Sequence, residues 1–144
     1  MRTYAGQTVD KNLLLKDAGL VGASAAAQVG GSNQILNLGL GRFEGYVVID
    51  WTACEVATGD ESYRIEIQFS DSATFASNIW IGAVVHLGDS TVSFESADTV
   101  AAGRRVVPFT NEIQDVQYPY MRLYTRVAGT VATGINYSAR VAKL

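Results

Sequence analysis

The sequence predicts an all-β protein, a β-sandwich or jelly roll of about eight antiparallel strands preceded by an N-terminal arm. Three observations carry that expectation. Beyond residue 33, successive runs alternate apolar and polar residues with a period of two; the runs end in Gly, Asp, Thr or Ser turn chemistry; and no segment longer than about ten residues keeps a helical apolar period. A closed barrel fits the same pattern and stands as the second architecture.

Residues 1–33 read as the arm and 34–144 as the sandwich domain, with no internal repeat and no linker between two domains. Apart from Leu13, Leu14, Leu15 and Leu20, the arm carries few core-sized side chains, and from Gly19 to Ser32 it is almost wholly Ala, Gly, Ser and Val. "DKNLLLKDAGLVGASAAAQ" allows at most a short turn of helix. The arm is therefore expected to lie along another surface, its own sheet or a neighbouring subunit. A partly ordered leader is the alternative.

The first long run, "GYVVIDWTACEVATGDE", sets Val47, Ile49, Trp51 and Ala53 on one face and Val48, Asp50, Thr52 and Cys54 on the other. After the turn signal Thr58-Gly59-Asp60, "SYRIEIQF" points Tyr63, Ile65, Ile67 and Phe69 one way and Arg64, Glu66 and Gln68 the other, so the two runs are expected to pair as a hairpin. "NIWIGAVVHLGDS" sends Ile79, Ile81, Ala83, Val85 and Leu87 to one face and Trp80, Val84 and His86 to the other; with both faces apolar, it reads as a strand inside a two-layer structure. Pro108 places "GRRVVPFTNE" at a sheet edge or bulge, because proline has no N–H for the ladder. "YPYMRLYTRVAG" and "TGINYSARVAKL" read as a second hairpin, with Met121, Leu123, Thr125 and Val127 alternating against Tyr120, Arg122, Tyr124 and Arg126.

Composition narrows the function. A chain of 144 residues, 48% hydrophobic and 17% charged, can bury a core without disulfides or metals. A net charge of −3, with 11 basic residues scattered along the chain, argues against nucleic acid as a partner. Cys54 has no partner cysteine, which suits a reducing place of synthesis and a small buried hydrophobe. No secretory signal and no apolar run approaching the ~18 residues of a membrane span is visible, so a soluble, unexported protein with no membrane partner is expected.

The residues for common catalysis are missing. One histidine, His86, cannot supply a multi-histidine metal centre, and no Gly-x-Ser-x-Gly elbow accompanies it as a triad base. Asp60, Glu61, Asp71, Asp89 and Asp98 have no calcium-loop spacing and read as solvated turn residues. "GLGRFEG" lacks the lysine of a phosphate loop and leads into a strand. No catalytic residue, metal ligand or cofactor is assigned. What stands out is the Tyr120, Arg122, Tyr124, Arg126 stripe, made of two residue types enriched at protein interfaces. The opposite orientation, tyrosines inward, fits the alternation equally well.

The order "LLLKDAG", "LNLGLGRFEGYVVIDWTA", "SYRIEIQFSDSATF", "GRRVVPFTNE", "YPYMRLYTRVAGTVATGINYSA" resembles the small capsid cement, or decoration, proteins of tailed bacteriophages. The resemblance runs from about Asn12 to Ala142 and is most specific at Gly103-Arg104, Asn111-Glu112, Tyr120 to Leu123, and Gly129-Thr130 with Gly134. It implies a jelly-roll core and a non-enzymatic structural role. Homotrimers, assembled in the host cytoplasm, would bind the major capsid protein on the outer surface of the expanded head. Candidate interface residues are Tyr120, Arg122, Tyr124 and Arg126, with Arg104 and the arm's Leu13, Leu14 and Leu15. Two other readings remain open. One is a lectin-like carbohydrate-binding jelly roll on a virion or cell surface, stacking sugars on Trp51, Trp80 or Tyr124; the other is an enzyme using an unrecognised pair of acids.

Overall fold

The computed structural model describes residues 13–93, 95 and 97–143. The first twelve residues of the expected arm lie outside these. The described part of the arm forms five short strands, β1 (Leu14–Lys16), β2 (Leu20–Val21), β3 (Ala25–Ala26), β4 (Gln28–Val29) and β5 (Ser32–Asn33), and a sixth, β6 (Leu36–Asn37), follows just beyond it. The long strands follow as β7 (Glu44–Cys54), β8 (Ser62–Ser70) and β9 (Trp80–Gly88), then the single helical turn α1 (Ser90–Ser93) and β10 (Gly103–Thr110). A small ladder of β11 (Glu112–Ile113) and β12 (Val116–Gln117) leads to β13 (Tyr120–Ala128) and β14 (Ile135–Lys143).

Two antiparallel sheets face each other across one core, the expected sandwich. The first has the order β1-β14-β7-β10, with β2 also on β14; the second has the order β3-β13-β8-β9, with β6 also on β13. Alternation decides the core. Val47 and Ile49 of β7, Tyr63, Ile65, Ile67 and Phe69 of β8, Met121 and Leu123 of β13 and Ile135 of β14 are all fully buried. The Tyr120 stripe thus faces outward, resolving the two orientations left open by the pattern. Pro108 lies on β10, at the free edge of the first sheet.

Neither expected hairpin forms. β7 pairs with β10 and β14, whereas β8 pairs with β13 and β9; β13 and β14 likewise belong to different sheets. Both pairs instead meet face to face across the core. Residues 55–61 and 129–134 are long enough to cross the roughly 10 Å between packed sheets, and carboxylates hold the crossings in shape. The buried Glu61 accepts from the backbone N–H groups of Thr58 (2.7 Å) and Gly59 (3.0 Å), and Asp60 accepts from Thr130 N–H at 2.9 Å. Glu61 and Asp89 are therefore buried turn acceptors, not the solvated residues expected.

β9 departs from its expected facing. It is an edge strand, and a bulge at Gly82 sets Ile67 opposite Ala83 but Gln68 opposite Ile81. The extra residue reverses everything before it, so Ile79 and Ile81 are exposed while Val85 and Leu87 remain in the core. Only glycine fits there, because a Cβ would lie 2.5 Å from the Phe69 ring.

Of the conceivable helical turn of the arm, only Leu13 is helical (3₁₀) among the described residues, and the chain is extended from Leu14 on. β1 and β2 extend the first sheet from β14, and β3, with β6 just beyond the arm, extends the second from β13, so the described part of the arm, residues 13–33, lies along its own sandwich. Leu15 is fully buried in the core and is not presented to a partner; Leu13 and Leu14 are half-buried. Lys16, also buried, ties the arm down by donating from Nζ to the carbonyls of Asp17 (2.9 Å), Gly19 (3.0 Å) and Tyr137 (2.7 Å).

Burial pushes the Lys16 amine down to about 8, against the smaller opposing pull of Asp17. Between that value and its ordinary 10.5, the unfolded chain binds a proton that the native state has lost, so folding gains stability as pH rises. Burial acts in the opposite direction on acids that stay neutral in the fold. It raises Cys54 to about 11 and Tyr137 to about 12, so they remove stability once pH passes 9 and 10 respectively. Thermal melts are expected to strengthen from pH 8, with Lys16 alone contributing about 1 kcal/mol by pH 9, and to weaken well above that. The Lys16→Met variant should lose the rising limb; an unchanged limb would show that Lys16 is not its source.

Candidate interaction surface

The outer face of the second sheet brings three rows of side chains into register. Arg122, Gln68 and Ile81 lie across from one another, as do Tyr124, Glu66 and Val84, and then Arg126, Arg64 and His86. Although this face is the outer one, two side chains of its central strand are closed off: Glu66 is fully buried and Gln68 nearly so, while the Arg64 and Arg126 side chains stay 40% and 50% exposed. The flanking long side chains fold over the central strand and cover it with their stems.

Glu66 is the hub. Its Oε2 accepts from an Arg64 terminal nitrogen and from Arg126 Nε at 3.3 Å, and its Oε1 accepts from Gln68 Nε2 at 2.8 Å. Gln68 in turn accepts from Arg122 Nε at 2.8 Å. Burial alone would push the Glu66 carboxyl up, but the hydrogen bonds from Arg64, Gln68 and Arg126 outweigh it and hold it below the usual carboxylate range. The carboxylate stays charged and orients the guanidinium groups around it.

Aromatic rings complete the surface. The Tyr124 ring lies between two guanidiniums, with Arg122 at 5.3 Å and Arg126 at 4.5 Å from its centroid, and Arg122 also lies 4.4 Å from the centre of Phe75. Phe75 reaches that position from the β8–β9 loop with a φ of 55°, a conformation that a bulky residue adopts only when its surroundings impose it. Two buried atoms on the same face, Arg64 Nε and His86 Nδ1, have no hydrogen-bond partner.

The first sheet carries a simpler version on its own outer face. Asp50 of β7 accepts from Arg104 Nε at 2.5 Å on one side and from Arg140 at 3.2 Å on the other. The hydrogen bond from Arg104 is the main reason its carboxyl is held below the usual range. Arg104 and the Tyr120 stripe, grouped above as interface candidates, therefore lie on opposite faces of the sandwich.

Other candidate chemistry fares differently. Among the described residues, no three His, Cys, Asp or Glu side chains are grouped to hold a metal ion. Glu44 and Glu112 line an open groove of about 410 Å³ beside Pro108 and Phe109, but both are ion-paired to the same guanidinium, Arg42. Trp51 is buried and donates from Nε1 to the Ala101 carbonyl at 2.9 Å, so it cannot stack on a sugar; Trp80, beside Tyr118, is 38% exposed.

Sequence reasoning found the β13 stripe and missed Arg64, Glu66, Gln68 and Phe75. The polar alternation Arg64, Glu66, Gln68 was visible, but only the β8–β13 register sets it beside the stripe. Nothing local marks Phe75. No family model matches the chain, and no curated protein matches it.

Proposed function

We propose that the chain is a non-enzymatic cement protein of a tailed-phage capsid, which docks on the outer surface of the major capsid protein shell and stabilises the expanded head as a homotrimer. The observation that carries this reading is the outer face of the second sheet. Arginine side chains are held there by the buried Glu66 carboxylate and by Gln68, and they flank Tyr124 above the buried Phe75 ring, giving a tyrosine–arginine contact surface with little side-chain freedom left to lose on binding. The sequence resemblance supplies the partner. Many copies, each gripping with modest affinity through linked contacts, would reinforce a shell collectively.

The test mixes the protein with undecorated expanded heads of its own phage and measures occupancy by sedimentation, then the temperature at which heads rupture. Saturable binding with a higher rupture temperature is expected. Deleting Met1–Asp10 removes none of the described strand pairing, so the variant should fold; reduced occupancy would assign the arm a share of the contact. Absence of binding by the full chain would remove the cement reading. Trp80 keeps the carbohydrate reading alive, and glycan binding lost on Trp80→Ala would put it first.

A further inference from the structure

The outer face of the second sheet is basic on a chain whose net charge is −3. Arg64, Arg122 and Arg126 surround a single carboxylate, Glu66, which is already saturated by three donors. Arg122 and Arg126 each use Nε on a neighbour in the sheet, and their terminal nitrogens have no hydrogen-bond partner among the described residues. Each guanidinium therefore keeps an end-on fork of the kind that matches a carboxylate. The two forks flank the Tyr124 ring, and Ile81 and Val84 are exposed on the same face.

From this geometry we infer that the face docks an extended acidic segment of another protein, with carboxylates on Arg122 and Arg126 and apolar side chains on Tyr124, Ile81 and Val84. The inference rests on the docking role proposed above for the same face and adds the chemistry of the partner. A second copy of the chain is a poor occupant, because among the described residues nearly all of its carboxylates, the exposed Asp115 excepted, are engaged internally. Glu44 and Glu112 bind Arg42, Asp50 binds Arg104 and Arg140, and Glu55 accepts from the backbone N–H groups of Ala132 and Thr133. Like faces meeting would also set arginine against arginine. A nucleic acid would track a longer run of positive charge than three arginines around a carboxylate offer.

The experiment uses the full chain and a short fluorescent peptide alternating Glu and Val, with a Lys/Val peptide and a single-stranded oligonucleotide as comparisons. Binding of the Glu/Val peptide that weakens with salt is expected, with a loss of at least about tenfold in Arg126→Ala and in Arg122→Gln and none in Arg105→Ala, whose side chain instead pairs with Glu95. Two arginine variants are used so that a folding defect in one does not decide the matter. No binding by the wild type, equal loss in Arg105→Ala, or an oligonucleotide that competes as well as the peptide would overturn the inference. Shell occupancy that persists in both arginine variants would overturn it while sparing the cement reading. Peptide binding without shell occupancy would do the reverse.

Discussion

Replacing Glu66 by alanine is expected to lower stability by about 3 kcal/mol, because it leaves two arginines facing a cavity where a buried anion had been. For a chain of this length that is a fall of roughly 10 °C in melting temperature. The size follows from asymmetry. A fully buried carboxylate with three donors contributes little relative to a well-packed apolar residue, but removing it alone strands its partners. Glu66→Gln keeps the shape and an acceptor and should lose less. Replacing Arg64, Glu66 and Arg126 together by Leu, Met and Leu should recover much of the stability while abolishing acidic-peptide binding. Calorimetric melts of the three variants check the order, and a Glu66→Ala melt within a degree or two of wild type would mean that the hub orients the surface without supporting the fold.

A comparable loss is expected from Gly134→Ala, at the end of the crossing from β13 to β14. Gly134 has a φ of +97°, and a Cβ there would lie 1.9 Å from the carbonyl oxygen of Val21 and 2.8 Å from the Cα of Gly22. Both obstacles are backbone, so no rotamer change relieves them, and β2 must leave β14, where Val21 pairs with Ile135. Backbone strain and lost pairing together should cost about 3 kcal/mol or more. Gly39→Ala is the control, since Gly39 has a φ of +81° but nothing within 4 Å of its Cβ position, and it should cost only the conformational penalty of about 1 kcal/mol. Hydrogen exchange at Leu20 and Val21 separates the contributions: fast exchange is expected in Gly134→Ala and native protection in Gly39→Ala. Native protection in both would show that β14, not the arm, absorbs the clash.

Most of the fold class was legible because a strand's facing is local. Side chains alternate across any extended chain, so Tyr63, Ile65, Ile67 and Phe69 declared an inner face, and Pro108 declared an edge, without reference to any other strand. The absence of helical period and the turn residues between runs completed the case for a sandwich. Which strands pair is a different kind of fact. The β7–β8 and β13–β14 neighbours read as hairpins from the chain alone but cross between sheets, because that choice depends on how two apolar faces cover each other across the core. The facing of Ile79 and Ile81 was likewise reversed by one bulged glycine, whose necessity comes from the Phe69 ring and not from its neighbours in the chain. The interaction surface divides in the same way. The β13 stripe could be read from alternation, while Arg64, Glu66, Gln68 and Phe75 joined it only through the β8–β13 register and a loop folded back over the sheet. Alternation is a property of each strand's own backbone, whereas pairing, register and burial of a charge on an outer face arise from contacts between residues far apart in the chain.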